Sequence, residues 1–171
     1  MIFAYADPPY LGCGKKHYAK HHAEAAIWDK IETHRNLIDS LSVEYPDGWA
    51  LSMGSVNLRV LLPLCPATVH VGGWFKPFAS FKPGVNPAYC WEPVIFNGGR
   101  KRGRDIPTLR DYVSANILMK KGLTGAKPEA VCHWIFAMLG MQPGDKLVDL
   151  FPGTGAVTAA WTTFVTSEIF A

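Results

Sequence analysis

Lys146-Leu147-Val148-Asp149-Leu150-Phe151-Pro152-Gly153-Thr154-Gly155 is the stretch on which the fold turns. Leu147 to Phe151 is short and apolar and reads as a buried strand. Pro152 stops it, and Gly153 and Gly155 permit the tight backbone of a strand-to-helix turn. Gly155 to Phe164 then reads as a helix. Strand, G-x-G turn and helix make one corner of a nucleotide-cofactor sheet, where ligands bind beyond the carboxyl ends of the strands. Alone, the same pattern also describes an ordinary strand–turn–helix corner. No third glycine stands at dinucleotide spacing, which counts against NAD.

At the other end of the chain, Met1 to Ala6 is a second short apolar run, stopped by Asp7-Pro8-Pro9-Tyr10. An aromatic amine is a poor nucleophile because its lone pair is delocalised into the ring. A carboxylate and a backbone carbonyl can each accept one of its N–H bonds and localise that pair. Pro8 and Pro9 stiffen the turn and leave carbonyls unclaimed by local hydrogen bonds. Tyr10 offers a face on which a base can stack. Such a site works by orientation and electrostatics and needs no strong base. A base inside a duplex would have to be flipped out to reach it. The plain alternative is a strand-ending turn that carries an acidic residue.

Composition bounds the answer. With 171 residues, 49% apolar and 18% charged, the chain reads as one soluble globular domain spanning 1–171. A formal charge of +3 permits a polyanionic partner without requiring one. Cys13, Cys65, Cys90 and Cys132 include no CxxC spacing, so neither a zinc site nor a disulfide framework is expected, and a reducing cytoplasm fits. The N-terminus lacks a basic leader and Asp7 interrupts its apolar run, so no signal peptide is expected. Val60 to Phe75 is broken by Pro63, Pro66 and Gly72-Gly73, which argues against a membrane span. His17 and His21 stand at i, i+4, but no carboxylate or cysteine completes a set, so no metal is expected.

Between the two motifs, Leu11 to His22 reads as a mobile polar loop and Ala23 to Leu41 as an amphipathic helix. Trp49 to Met53 is a second strand. Ser55 is placed to cap a helix that Pro63 ends. Ala67 to Val71 is a third strand, 72–90 a long loop and Trp91 to Phe96 a fourth strand, with Pro93 hinting at an edge or a bulge. Trp74, Phe75, Phe78 and Phe81 read as packing beneath that loop, and Trp91 as core; Glu92 carries no assigned role. Lys127-Pro128-Glu129 opens a helix through Leu139, with Pro128 in its first turn. Strands alternating with helices imply a mostly parallel α/β sheet.

The order of these motifs resembles the S-adenosylmethionine (SAM)-dependent amino-methyltransferases of nucleic acids in their permuted, beta-class arrangement. There a D/N/S-P-P-Y/F/W motif precedes a target-recognition segment, a Lys-Pro helix and a D-x-F-x-G-x-G turn. Here Asp7 to Tyr10, a basic segment, Gly125-Ala126-Lys127-Pro128 and Asp149 to Gly155 follow in that order. The resemblance implies a three-layer, Rossmann-like, circularly permuted sheet. Its catalytic half would be 1–96, its basic target segment 97–125 and its SAM-binding half 126–171. It implies that Asp7, Pro8, Pro9 and Tyr10 hold the target amine. Ala6, Asp7, Asp149, Phe151, Gly153, Thr154 and Gly155 would line the SAM site. Lys127 and Pro128, at a helix start, would meet the methionine carboxylate.

Two further expectations follow from the resemblance. The family has two more strands after the helix that follows the cofactor turn, and an acidic residue there grips the SAM ribose. Glu168 stands near that distance without room for the strand. The sheet is then minimal, or a second copy of the chain or another partner completes the cofactor site. The segment from Asn97 to Lys121 carries Arg100, Lys101, Arg102, Arg104, Arg110, Lys120 and Lys121 against Asp105 and Asp111. Arg100, Lys101, Arg102 and Arg104, joined by Lys15, Lys16 and Lys20, would contact phosphate. A solvated surface run is the plain reading of the same charges. Asp at the first motif position leans toward adenine N6 over cytosine N4 and the motif order toward DNA over RNA. A cytoplasmic enzyme of a bacterium or phage is the expected setting. A nucleic-acid-binding module with little or no catalysis is the competing class.

Overall fold

The computed structural model describes residues 1–18, 24–78, 84–118 and 126–166. Lys20, His21, His22, Phe81, Lys120, Lys121, Gly125 and Glu168, singled out above, lie outside the described residues.

The strands are β1 (Ile2–Ala6), β2 (Gly48–Ser52), β3 (His70–Phe75), β4 (Trp91–Gly98), β5 (Tyr112–Ser114) and β6 (Lys146–Asp149). They form one sheet in the order β5-β3-β4-β2-β1-β6. β1 runs parallel to β2 and β6, and β3 parallel to β5, while β4 is antiparallel to both β2 and β3. The carboxyl ends of the other five strands therefore share one rim, and β4 alone begins there.

The helices are α1 (Ile31–Glu44), α2 (Leu58–Leu61), α3 (Glu129–Leu139) and α4 (Ala156–Val165). Alternation along the strands divides the core between the two faces. Phe3 and Tyr5 of β1, Ala50 of β2 and Val94 and Phe96 of β4 pack with Val131, Ile135, Phe136 and Leu139 of α3 and Val157, Ala160 and Phe164 of α4. Ala4, Ala6, Trp49, Leu51 and Ile95 take the other face, with Ile38 and Leu41 of α1 and Leu61 of α2. The result is the mostly parallel, three-layer sheet that the alternating pattern predicts.

Several local expectations are corrected. The segment read as one helix from Ala23 to Leu41 is a 3-10 turn, Ala25–Asp29, followed by α1, with extended backbone at Lys30 between them. Asp29 is diverted to the preceding loop, where its carboxylate accepts Gly14 N (2.8 Å) and Lys15 N (3.0 Å). Gly14 and Lys15 are therefore tied to Asp29, and Gly14–Tyr18 forms a single π turn. Gly54 supplies the N-cap in place of Ser55, which lies inside a first 3-10 turn.

β3 starts later than expected and continues through the double glycine. A Cβ on Gly72 would stand 2.7 Å from Asp111 O and 2.9 Å from the Trp134 ring, so the bare backbone is what lets α3 and the chain before β5 close in. β5 itself is a strand within the segment read as basic loop. Trp74 is buried as expected, whereas Phe75 and Phe78 are exposed. Pro93 is neither at an edge nor in a bulge, since β4 is interior. It lies past the last β2–β4 pair, Ser52↔Val94, where only its carbonyl is used, by Met53 N at 3.2 Å. Pro128 precedes α3 as its N-cap, its carbonyl accepting Val131 N (2.9 Å) and Cys132 N (3.1 Å).

Candidate active site

The two motifs meet because β1 and β6 are parallel neighbours. Tyr5 is in register with Asp149, and Leu150 N donates to Tyr5 O at 3.0 Å. The Asp7–Tyr10 turn and the Pro152–Gly155 turn leave adjacent strands at the same rim. Their partnership depends on sheet pairing alone.

The first turn is crowded with charge. Lys127, just before α3, is 6% exposed. Its Nζ lies 3.1 Å from Asp7 Oδ1, 3.1 Å from Glu92 Oε2 and 3.1 Å from the Tyr10 hydroxyl. Tyr10 donates its own proton to Glu92 Oε2 at 2.8 Å, with a longer approach to Asp7 Oδ1 at 3.3 Å. The other Glu92 oxygen pairs with Lys76, whose ammonium stands 4.6 Å over the Trp74 ring. Lys127 lies 5.4 Å from that ring on the same tryptophan. Beneath the cluster, the buried Tyr5 hydroxyl is 2.8 Å from Ser52 Oγ.

These surroundings push the two carboxylates apart. Burial raises the Asp7 carboxyl above its ordinary value, and Lys127 only partly offsets it. Burial also acts upward on Glu92, but Lys127 and Lys76 outweigh it and hold that carboxyl below its ordinary value. Burial opposes charge on Lys127, yet Asp7, Tyr5 and Glu92 outweigh it and keep the lysine protonated. A pair of acids separated in this way is a frequent mark of acid–base work.

The second turn is bare by contrast. Gly153 (φ +45°) and Gly155 (φ +75°) are both left-handed, a conformation that costs any other residue. A Cβ on Gly155 would meet nothing within 4 Å, so the space beside that backbone is open. Gly155 N closes the turn on Pro152 O at 2.6 Å, and Gly155 is the N-cap of α4 without a side-chain cap bond. Asp149 accepts Phe151 N (3.2 Å) and Thr158 Oγ1 (3.4 Å), and burial raises its carboxyl. The Phe151 ring packs edge-on to Trp28, centroids 5.1 Å apart.

The basic residues divide between the rims. Lys15 and Lys16 are exposed on the π turn that follows the Asp7–Tyr10 motif. Arg100 follows β4, which ends opposite the start of β2 (Gly98↔Gly48), at the far rim. The eight residues of β4 separate the rims by roughly 22–24 Å. Arg100 donates to Gly140 O (3.0 Å) and to both oxygens of Asp145 (2.8 Å each), and Arg102 donates to Ala137 O. Lys101 and Arg104 are exposed.

Sequence reasoning missed Glu92, Lys76 and Trp74 as members of the site. The available signal was a lone acid, Glu92, opening an otherwise apolar run to Phe96. Among the described residues no group of three His, Cys, Asp or Glu side chains is placed to hold a metal ion, and no helix is long and apolar enough to cross a membrane.

The chain has a mixed α/β, Rossmann-like fold, a six-stranded sheet with helices on both faces. Among solved structures it is similar to the crystal structure of the M1.HpyAVI-SAM complex, with a TM-score of 0.60 at 12% sequence identity, covering 95% of this chain and 77% of that one. No protein-family profile and no curated protein sequence matches the chain.

Proposed function

We propose that this protein transfers a methyl group from SAM to the exocyclic amine of a base in DNA, adenine N6 foremost. One observation carries the reading: parallel pairing of β1 with β6 puts the Asp7–Tyr10 turn and the glycine turn side by side at one rim. The structural similarity to a SAM complex supports the cofactor.

The residues fit the cofactor at the second turn. The open space beside Gly155 would admit it, with Gly153, Asp149, Phe151 and Thr154 around it, and Ala6 and Asp7 closing the side toward the base. When bound there, SAM supplies an electrophilic methyl on a sulfonium. Asp7 and the carbonyls of Pro8 and Pro9 orient the amine, and Tyr10 stacks on the base. Transfer would exchange the sulfonium's C–S bond for the new N–C bond, leaving a neutral thioether, and the Asp7 carboxylate, with its raised affinity for protons, would take the amine proton. Lys127 does not fit the part of a methionine-carboxylate ligand in this arrangement, because its ammonium is turned into Asp7 and Glu92.

Phosphate contacts are proposed for Lys15 and Lys16 beside the turn. Lys101, Arg102 and Arg104 would meet phosphate only well away from the reacting base, and Arg100 is engaged by Asp145.

The ion pair between Lys127 and Asp7 favours a second reading, a nucleic-acid-binding module whose Asp7 stays closed to substrate. Transfer of radiolabelled methyl from SAM to DNA and RNA, followed by nucleoside analysis, separates the two. N6-methyladenine in DNA is expected. Label on cytosine, or on RNA alone, would move the substrate, and no label with intact nucleic-acid binding would favour the module.

A further inference from the structure

Seating an amine on Asp7 creates a charge conflict at Lys127. The lysine is almost wholly buried, and a buried ammonium whose counter-charge is withdrawn is strongly disfavoured. Lys127 and Tyr10 both meet Asp7 at Oδ1, so an incoming N–H competes with them for the same carboxylate. Were Asp7 the sole counter-charge, binding the substrate would strand the lysine.

Glu92 resolves the conflict. It reaches Lys127 from β4, which β2 separates from β1, so its position is independent of the Asp7 turn. Lys76 anchors its outer oxygen. Its inner oxygen takes Lys127 at 3.1 Å and the Tyr10 proton at 2.8 Å. Asp7 and Glu92 against Lys76 and Lys127 make a balanced set of charges.

We infer that Glu92 is a positioning residue for the Asp7 turn: it is the standing counter-ion of Lys127 and the anchor of Tyr10, which frees Asp7 to exchange the lysine for the substrate amine. The exchange swaps hydrogen bonds and breaks no covalent bond. This role rests on the methyl-transfer reading. Neutralising Glu92 would leave Asp7 as the lysine's single carboxylate, tighten that pair and weaken the hydrogen bond that Tyr10 donates to position 92.

The groups facing this pair are Tyr5, Tyr10, Lys76, Lys127, Asp149 and the buried Cys132 thiol. Glu92 acts on Asp7 as a like charge that raises its carboxyl. Loss of that charge and a tighter lysine both act downward. The expected result for Glu92→Gln is therefore a lowered Asp7 pKa, read by carbon-13 NMR of the carboxyl in ligand-free protein. Single-turnover methyl transfer is expected to fall roughly 10–100-fold, while SAM affinity by calorimetry stays within about twofold of the unmodified chain, since Glu92 lies off the glycine turn.

Glu92→Asp keeps the charge on a shorter arm and serves if Glu92→Gln does not fold. It is expected to lose less rate and to shift Asp7 less, in the same direction. An Asp7 pKa that stays put or rises, or transfer at the original rate with Glu92 neutralised, overturns the inference. A parent chain that transfers no methyl to any nucleic acid defeats the methyl-transfer reading instead, and the Asp7 titration still decides whether Glu92 governs that carboxylate.

Discussion

Asp7 and Asp145 are carboxylates at opposite rims of one sheet, and both meet cations, yet they titrate in opposite directions. Asp145 accepts the Met1 ammonium at 2.9 Å, Arg100 at 2.8 Å through both oxygens, and Gln142 N at 2.8 Å. Burial acts upward on it, but Arg100, the N-terminal amine and Gln142 N outweigh it and the carboxyl is lowered. Asp7 has to share its lysine with Glu92, burial prevails, and its carboxyl is raised. A carboxylate with cations of its own staples a fold; one that shares its cation keeps capacity for a ligand. The far rim is closed in this sense and the near rim is poised.

The largest effect that tests this contrast is on Lys127. Lys127→Met leaves Asp7 without its cation while Glu92 keeps Lys76, and should cost about 3–5 kcal/mol of stability in a urea titration. A loss below about 1 kcal/mol would mean that the near rim tolerates unpaired charge and the contrast fails. Next comes Asp7→Ala, expected to reduce methyl transfer roughly 10²–10³-fold with SAM affinity nearly unchanged by calorimetry. Transfer at the original rate would remove Asp7 from the chemistry.

Asp145→Asn probes the closed rim and should cost about 1.5–3 kcal/mol at neutral pH, without a matching loss of methyl transfer per folded molecule. The sign with pH follows from the lowered carboxyl. Its stabilisation is present above the unfolded value of about 3.9 and is lost as pH falls through the lower folded one. Asp7 acts the other way, its cost being relieved as pH falls through its raised value. An acid-unfolding curve of Asp145→Asn that still dropped as steeply as the parent's would show that this pair does not staple the rim.

Gly155→Ala should cost about 1–2 kcal/mol through its left-handed backbone and weaken SAM binding, because the space beside it is open and strain is the whole penalty. The smallest effect is on salt dependence. Replacing Lys15 and Lys16 by Ala should flatten the slope of log K against log salt for DNA by up to about 2. Replacing Lys101, Arg102 and Arg104 should flatten it less, and the reverse order would put the nucleic acid across the far rim.

Much of the architecture was legible from local pattern. Met1 to Ala6 and Leu147 to Phe151 are apolar runs long enough only for strands; β1 lies within the first, and β6, Lys146–Asp149, overlaps the second. The Lys127-Pro128-Glu129 opening and the Pro152–Gly155 turn marked where α3 and α4 begin. Gly155 was legible because a left-handed residue at a helix start selects glycine. The extent of β3 was not, because Gly72 and Gly73 read as a break until Asp111 and Trp134 are seen pressed against them. Nor was the break before α1, which depends on Asp29 reaching back to Gly14 and Lys15.

The sequence by itself determined β1, β2, β4, β6, α3 and α4 to within a few residues, and that a carboxylate turn and a glycine turn each end an apolar strand. Those features follow from periodicity, proline and glycine, all of which act within a few residues. Only the tertiary structure decided who shares a rim. The reversed direction of β4 carries Glu92 to Lys127 and Asp7 and sends Arg100 to Asp145 on the far side. Strand order and direction are settled by packing the whole sheet between its helices, and charge partnership between distant residues is inherited from that packing.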